Sequence, residues 1–374
     1  MPDNAPWPNL PREARQVVSA WEKDVIEKLF EHVRLPRRAA LTLCAALAAA
    51  ATTLPATAKP AFTTFDVPGS SGTAPTSINA GGSITGGYSN GGAALGFVRA
   101  PDGTFTTFAP PGVGGSGAAI NTAGVVAGTD TDSNSVTHGF VRTAEGTLQP
   151  FDAPGAGTGV YEGTAAYGIN TKGAITGTWI NGDTNPLGDR IPHGYVRDPA
   201  GNFAEFDPAG SYGTEPLSIN AKGAVTGLYA DINGNGHSFI RAANGTITNI
   251  DPPGATESSA YSINAKGAVT GSEVVGSVYH GFIQSADGTF TQFDPTGSTA
   301  TYPACINTAG AVTGYYVDGM GANHAFIRNS KGRIQKADPP GSTGARALAI
   351  NAKGTITGYF GDGSSVVHGF LRTK

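Results

Sequence analysis

The chain has 374 residues, of which 39% are hydrophobic and only 14% are charged. It is long enough to bury a sizeable core, and its formal net charge of -4 argues against a nucleic-acid partner, which would need a basic surface. The abundance of Gly, Thr and Asn over Leu, Lys and Glu favours β structure with many turns.

The first 58 residues differ from the rest of the chain. Residues 1–33 carry apolar side chains at helical spacing, which predicts a helical extension, either an extended leader or sequence upstream of a misassigned start. Residues 34–58 place arginines before an apolar run and end in Ala56-Thr57-Ala58, the small-x-small pattern of a cleavage site. This predicts a signal peptide. A membrane anchor is the alternative, but the run is shorter than the ~20 residues that span a bilayer.

Cleavage before Lys59 would leave a mature domain of residues 59–374, located outside the cytoplasm in the periplasm or medium of a bacterium and without a membrane span. Arg37-Arg38 leaves the export route open between the general and twin-arginine pathways. Cys44 falls in the leader, so the mature chain keeps Cys305 alone and has no internal disulfide. Cys305 is interpreted as a small buried residue.

The mature part consists of seven repeats of about 45 residues. Each repeat carries the dipeptide Ile-Asn, then a Gly three residues after the Asn, then a second Gly four residues later. The asparagines are Asn79, Asn121, Asn170, Asn220, Asn264, Asn307 and Asn351.

Each repeat is predicted to form four short strands. The first ends at Ile-Asn, and Asn-x-x-Gly makes a type I turn. The second is rich in β-branched and aromatic residues, as in AVTGYY. The third is HGFVR or HAFIR, and a Gly-containing turn connects it to a fourth strand of the type GTFTQFD. Radial four-stranded sheets predict an all-β fold, a seven-bladed β-propeller of antiparallel blades, with a β-helix as the alternative.

The chain ends predict closure of the ring. The seventh repeat stops before its fourth strand, and residues 61–69 read as an orphan fourth strand. We therefore expect Phe62–Asp66 to complete the last blade.

A histidine at the start of the third strand and an aspartate at the end of the fourth are separated by fourteen residues. The hairpin register places them opposite each other, and the first repeat lacks both, with Leu95 and Ala109 instead. Because the two residues are present or absent together, we interpret them as structural pairs rather than reactive dyads. The pairs are His138–Asp152, His193–Asp207, His237–Asp251, His280–Asp294, His324–Asp338 and, across the chain ends, His368–Asp66.

The motifs Ile-Asn-x-x-Gly, Val-x-Gly and His-Ala-Phe, the last at His324-Ala325-Phe326, resemble the HAF repeat of bacterial extracellular proteins over residues 61–374. Two features depart from that pattern. Arginine, as at Arg142, stands where those repeats often have Trp, and Phe-Asp-x-Pro-Gly stands where they tend to have Asp-Leu-Gly. The resemblance implies a secreted bacterial protein and implies no reaction.

The long second loops and the connectors between repeats lie at one end of the predicted blades, where we expect function. Asp231, Asn233 and Asn235 resemble the start of a calcium loop, but Ala242 stands where such a loop needs Glu. A plain polar turn is the alternative.

A second candidate group follows the connectors into the first strands. Its acidic and cationic members would rim a central channel, where paired carboxylates could do acid–base work; solvated loop charges are the alternative. The group consists of Glu162, Glu215, Glu257, Arg346, Tyr161, Tyr212 and Tyr302.

The sequence as a whole favours a monomeric, non-catalytic binding or scaffold module outside the cell, with a glycan or protein ligand and no cofactor apart from a possible calcium ion. One alternative is a carbohydrate-active lyase or hydrolase, or a lactonase, at the channel mouth. It would be favoured by Glu215 and Glu257 lying ~5–9 Å apart. A structural protein of the cell envelope is the other alternative.

Overall fold

A computed structural model describes residues 61–92, 94–185 and 188–373. The predicted helical extension and signal peptide lie outside these residues. Within the described part of the chain every regular element is a strand, and no helix could cross a membrane. The first strands are β1 (Phe62–Phe65), β2 (Gly72–Ile78), β3 (Ile84–Ser89), β4 (Ala94–Arg99), β5 (Phe105–Phe108), β6 (Gly114–Ile120), β7 (Val126–Thr131), β8 (Thr137–Arg142), β9 (Leu148–Phe151), β10 (Gly163–Ile169), β11 (Ile175–Thr184), β12 (Arg190–Arg197), β13 (Phe203–Phe206) and β14 (Thr214–Ile219).

The second half of the domain continues in the same order. Its strands are β15 (Val225–Ala230), β16 (Gly236–Arg241), β17 (Ile247–Asn249), β18 (Glu257–Ile263), β19 (Val269–Val275), β20 (Val278–Gln284), β21 (Phe290–Phe293), β22 (Ser298–Ile306), β23 (Val312–Asp318), β24 (Asn323–Arg328), β25 (Ile334–Lys336), β26 (Gly344–Ile350), β27 (Ile356–Gly361) and β28 (Val367–Arg372).

Within each repeat, four consecutive strands pair antiparallel as a meander, as in β14-β15-β16-β17. The seventh repeat ends at β28, and its fourth strand is β1. Phe62 pairs with Arg372 and Phe65 with Gly369. Short parallel contacts at Gly72–Val367 and Gly163–Thr137 merge neighbouring meanders into two eight-stranded sheets.

The conserved turn explains the motif Asn-x-x-Gly. In the first repeat the Asn79 side-chain oxygen accepts hydrogen bonds from the N–H groups of Gly82 and Ser83, and the Asn79 carbonyl accepts one from Gly82. Gly82 has φ +99°, a conformation in which a Cβ is strained.

The amide nitrogen of the same asparagine links one repeat to the next. Each buried Nδ2 donates to the main-chain oxygen of the asparagine in the following repeat at 3.0–3.3 Å. The last of these bonds runs from Asn351 back to Asn79. The first strands contact each other in the same series, from β2 with β6 to β26 with β2.

A β-bulge in each first strand explains the second glycine of the motif. In β14 the pairing register shifts between Pro216 and Ser218, and the other six first strands shift at the same place. The bulge brings a carbonyl against the second strand. A Cβ on Gly227 would lie 2.0 Å from the main-chain carbonyl oxygen of Glu215. At the six equivalent glycines, a Cβ would lie 1.9–2.3 Å from the corresponding carbonyl oxygen of the same repeat.

The hydrophobic core lies between repeats that follow one another in the chain, where their sheets pack against each other. The aromatic residue of each third strand is fully buried: Phe97, Phe140, Tyr195, Phe239, Phe282, Phe326 and Phe370. Cys305, predicted to be buried, is half-buried against Ser262 and the Ile350 carbonyl, and burial raises the pKa of its thiol.

Two departures from the HAF pattern contact each other. The Arg241 guanidinium lies 4.8 Å from the ring of Phe206 in the preceding repeat, and Arg142, Arg197 and Arg328 stack in the same way. Where Ile250 replaces the phenylalanine, Gln284 replaces the arginine of the next repeat. The contact is not obligatory, because Ala337 also replaces the phenylalanine while Arg372 of the next repeat is kept, 5.9 Å from the ring of Phe62.

Candidate functional site

The six His–Asp pairs are in direct contact. In each pair the histidine Nδ1 lies 2.7–2.9 Å from an aspartate oxygen, and we name these pairs the clasps. The clasp between His368 and Asp66 joins the two ends of the described chain.

Other groups hold the clasps in place. In four of the clasps an aromatic ring of the second strand lies against the imidazole, as Trp179 covers His193 at 4.3 Å. A second aspartate approaches Nε2 in four repeats, most closely Asp318 at 3.1 Å from His324. On the far side, Ser258 donates to Asp251. The carboxylate therefore lies between the imidazole and the hydroxyl, which is the wrong order for a base that activates a nucleophile.

The clasps make stability depend on pH. For His138 and His237 burial is the largest single effect and opposes protonation, but the aspartates bonded to them together outweigh it. For His193 and His368 the largest effect is the hydrogen bond to the clasp aspartate, Asp207 and Asp66 respectively, which favours protonation. All four pKa values are raised. A raised histidine pKa stabilises the fold fully below the unfolded value of ~6.5, and this contribution is lost as pH rises through the folded value.

We therefore expect the urea midpoint of unfolding to fall as pH rises above about 6.5. Burial also raises the pKa values of Asp130, Glu215 and Glu273, which lowers stability as pH rises above ~4 in the wild type and in any histidine variant alike. A His193→Gln variant should show a smaller fall above pH 6 than the wild type. An identical pH profile in the two proteins would contradict the assignment.

The candidate calcium loop is a hydrogen-bonded turn. The Asp231 side chain accepts bonds from the main-chain and side-chain nitrogens of Asn233 and Asn235. The bond from the Asn235 N–H is the main reason that the pKa of Asp231 falls to about 2. The asparagines thus turn their donors toward the carboxylate, as in the polar-turn alternative. The described residues contain no cluster of three or more metal-ligating side chains, and calcium binding stays a prediction.

The first strands expose a second set of side chains, which we name the inner positions. They lie five and three residues before each repeat asparagine, and all are at least partly accessible, whereas the residues six and four positions before each asparagine are buried except for Gly115. The later position falls at the bulge, where the pairing register with the second strand shifts. The inner positions are Ala74, Thr76, Ser116, Ala118, Ala165, Tyr167, Glu215, Leu217, Ser259, Tyr261, Tyr302, Ala304, Arg346 and Leu348.

An acid and two phenols at inner positions have perturbed pKa values. Burial raises the pKa of Glu215, although its side chain is reached by solvent. Burial, with the charge of Glu215, raises the pKa of Tyr167 to about 12, and this residue is 38% exposed. Burial also raises the pKa of Tyr261, which is hydrogen-bonded to Ser272. Groups that are enclosed by protein yet reached by water are typical of an internal channel or cleft.

An aromatic stack borders this group. The Tyr302 ring is stacked on Tyr315 at 4.9 Å and lies 5.3 Å from Tyr279, and the Arg346 guanidinium lies 4.5 Å from the Tyr315 ring. Tyr302 and Tyr315 also act on the pKa of Tyr261. The stack therefore extends the polar group across three consecutive repeats.

Three of the predicted candidates, Glu215, Tyr302 and Arg346, occupy inner positions, and four do not. Glu162 is paired with Arg190 and bonded to the Gly159 N–H; these bonds lower its pKa and make it a support for the connector. The remaining three, Tyr161, Tyr212 and Glu257, lie on connectors or at a strand start.

Sequence reasoning missed Tyr167, Tyr261 and Tyr315. Aligning the repeats on their asparagines would have brought the first two into one column. Tyr315 belongs to the second strand, and its pairing with Tyr302 places it here.

No protein-family model and no curated protein matches the chain. Solved structures do. A streptogramin B lyase is 16% identical, with a TM-score of 0.56 over 83% of this chain and 97% of its own. A catalytically inactive histidine-to-alanine variant of virginiamycin B lyase from Staphylococcus aureus, with quinupristin, is 18% identical, with a TM-score of 0.55 over 84% and 100%. The β-propeller domain of the Trilobed protease from Pyrococcus furiosus, which has an open velcro topology, is 9% identical, with a TM-score of 0.57 over 80% and 95%. At these identities the likeness shows the fold alone, and the described part of this chain is a β-propeller.

Proposed function

We propose that the domain is a closed seven-bladed propeller that acts outside the cytoplasm as a non-catalytic binding module. Closure is supported by the series of asparagine hydrogen bonds that returns from Asn351 to Asn79, and by the pairing of β1 with β28. Export is supported by the leader pattern of residues 34–58.

The ligand site is assigned to the inner positions. The observation that carries this assignment is the contrast between repeated and variable residues: turns, glycines and clasps recur around the domain, whereas the inner positions range from Ala74 and Ala118 to Tyr167, Glu215 and Arg346. Variation concentrated in one accessible group is what a ligand of irregular shape requires from a regular scaffold. The tyrosines offer apolar faces with hydrogen-bonding hydroxyls, which suit a sugar ring or a peptide side chain.

The chemistry of the site favours binding over catalysis. The virginiamycin B lyase variant is inactive after loss of a histidine, whereas the six histidines of the described chain are all engaged in clasps. Burial is the cause that raises the pKa of Glu215, and no neighbouring carboxylate contributes. The paired carboxylates expected of a glycosidase-like site are therefore not supported at this position.

A ligand screen tests the proposal. The wild-type protein is screened by thermal shift against a panel of glycans and peptides, with calcium as a separate arm. A ligand of the inner positions should raise the midpoint of unfolding of the wild type and of Glu145→Gln, a matched control on the exposed turn between β8 and β9. It should fail to do so for Glu215→Gln combined with Tyr261→Phe. Equal shifts in all three proteins would remove the site from the inner positions.

A lyase or hydrolase is the second candidate, because a solvent-accessible carboxyl with a raised pKa, such as that of Glu215, can act as a general acid. Incubation with each ligand found in the screen, followed by mass spectrometry, distinguishes the two. Recovery of intact ligand supports a binding module. Breakdown that is lost in Glu215→Gln and kept in Glu145→Gln would show that the domain is an enzyme.

A further inference from the structure

The two ends of the propeller carry opposite charges. The antiparallel meander places the Asn-x-x-Gly turns and the turns between third and fourth strands at one end, which we name the Asn-turn end. The second loops and the connectors lie at the opposite, connector end. The six clasp aspartates terminate the fourth strands and therefore lie at the connector end. The net charge of -4, which is summed over the whole chain, does not show this difference in charge between the two ends.

The Asn turns carry four exposed lysines: Lys172, Lys222, Lys266 and Lys353. Each occupies the third position of its turn, and the two middle positions of the seven turns contain no acidic residue in the described chain. Hydrogen bonds between consecutive asparagines hold neighbouring turns together, so the lysines of three consecutive repeats stand side by side. We name these four residues the lysine ring.

The lysine side chains are not needed to form the turns. The lysine contributes its main-chain N–H to the turn, and Ala123 and Ala309 supply the same bond in other repeats. Gly81 takes the same position in the first repeat. Lysine at four of seven equivalent positions brings like charges near one another, and an anionic partner would offset their mutual repulsion.

The acidic and hydrophobic residues around the lysine ring limit the class of partner that it can bind. Acidic residues at this end, such as Asp102 and Asp287, lie on the outer turns between third and fourth strands. In the described chain the exposed large hydrophobic residues lie at the connector end or, for Tyr167, at an inner position. The Asn-turn end therefore lacks both an apolar anchor for a membrane and aromatic platforms for nucleic-acid bases. A hydrophilic polyanion needs neither.

We propose that the lysine ring binds an acidic polysaccharide. The polysaccharide lies across the Asn-turn end, and its carboxylates neutralise the ammonium groups of the four lysines. This surface is distinct from the inner positions and does not rest on the function proposed for them. Lysine suits the role because its compact ammonium group on a flexible stem can follow a repeating polymer.

The test is the salt dependence of binding to polygalacturonate, measured with the full chain between about 50 and 200 mM salt. We take each lysine to neutralise one carboxylate and to contribute about -0.7 to the slope of log affinity against log salt concentration, the value for single-stranded nucleic acids. Four lysines then predict a roughly 50-fold loss of affinity across this range. The Lys222→Gln/Lys266→Gln variant should halve the slope. Lys331→Gln/Arg333→Gln makes the same charge change on an exposed outer turn and should leave the slope unchanged.

Three outcomes would overturn the proposal. One is the absence of binding at 50 mM salt, and another is an equal loss of affinity in the two double variants. The third is binding to phosphatidylglycerol vesicles or to an oligodeoxynucleotide that exceeds binding to polygalacturonate. Thermal unfolding of both variants should match the wild type, because the substituted side chains make no contact on which the turns depend.

Discussion

Phe65→Ala is expected to lower the free energy of unfolding by about 3–5 kcal/mol, the usual effect of truncating a buried phenylalanine. Phe65 lies in β1, at the start of the described chain, yet it is only 7% exposed. Its ring covers Gly369, where a Cβ would lie 2.5 Å from a ring atom, and the Arg99 guanidinium lies 4.9 Å from its centre. One side chain therefore packs against the last strand of the domain and against the first repeat.

Urea unfolding of the variant measures this effect, and Thr64→Ala is the matched control. Thr64 precedes Phe65 in the same strand, but its side chain is exposed, so its truncation should change the free energy by less than about 0.5 kcal/mol. If the two substitutions cost the same, β1 does not hold the ends of the chain together, and the closed ring would have to be abandoned.

Gly227→Ala is expected to destabilise the domain by about 3 kcal/mol, at the upper end of the range for overpacking. The new methyl group would lie 2.0 Å from the main-chain carbonyl oxygen of Glu215 and 2.8 Å from the Cα of Pro216. Both atoms belong to the backbone of the bulge, so no side chain can rotate away. Relief requires the first strand to move, which would also displace Glu215 from the inner positions.

The control is Gly319→Ala, at an exposed glycine without a positive φ and with no atom within 4 Å of the added methyl group. Its free energy of unfolding should stay within about 0.5 kcal/mol of the wild type. Equal stability of Gly227→Ala and Gly319→Ala in urea would show that the bulge is not the reason for the second glycine of the repeat.

Local chemistry made much of the fold predictable. Asn-x-x-Gly marks a turn in any context because it depends on residues within four positions of one another. The histidine and aspartate of a clasp lie fourteen residues apart in one hairpin, whose register follows from its turn. Leu95 and Ala109 identified the partners, because the first repeat lost both residues together.

Long-range contacts decided the candidate site. Glu162 looked like a free acid because its partner Arg190 lies 28 residues away on another strand. Tyr167 and Tyr261 looked like ordinary strand residues, because the repeat motif does not reveal the bulge that leaves them accessible. Glu215 and Tyr167 come from different repeats, and only packing of the first strands brings the Glu215 carboxylate close enough to act on the Tyr167 phenol.

The sequence by itself determined the number of repeats, the strands and turns within each repeat, and the partners within each hairpin, because these depend on residues that are near neighbours in the chain. The tertiary structure alone decided the second role of the repeat asparagine, whose Nδ2 reaches a carbonyl at least 42 residues away. It also decided which first-strand residues share one accessible surface. Contacts between repeats depend on how whole sheets pack against one another, and a local pattern of residues does not specify that packing.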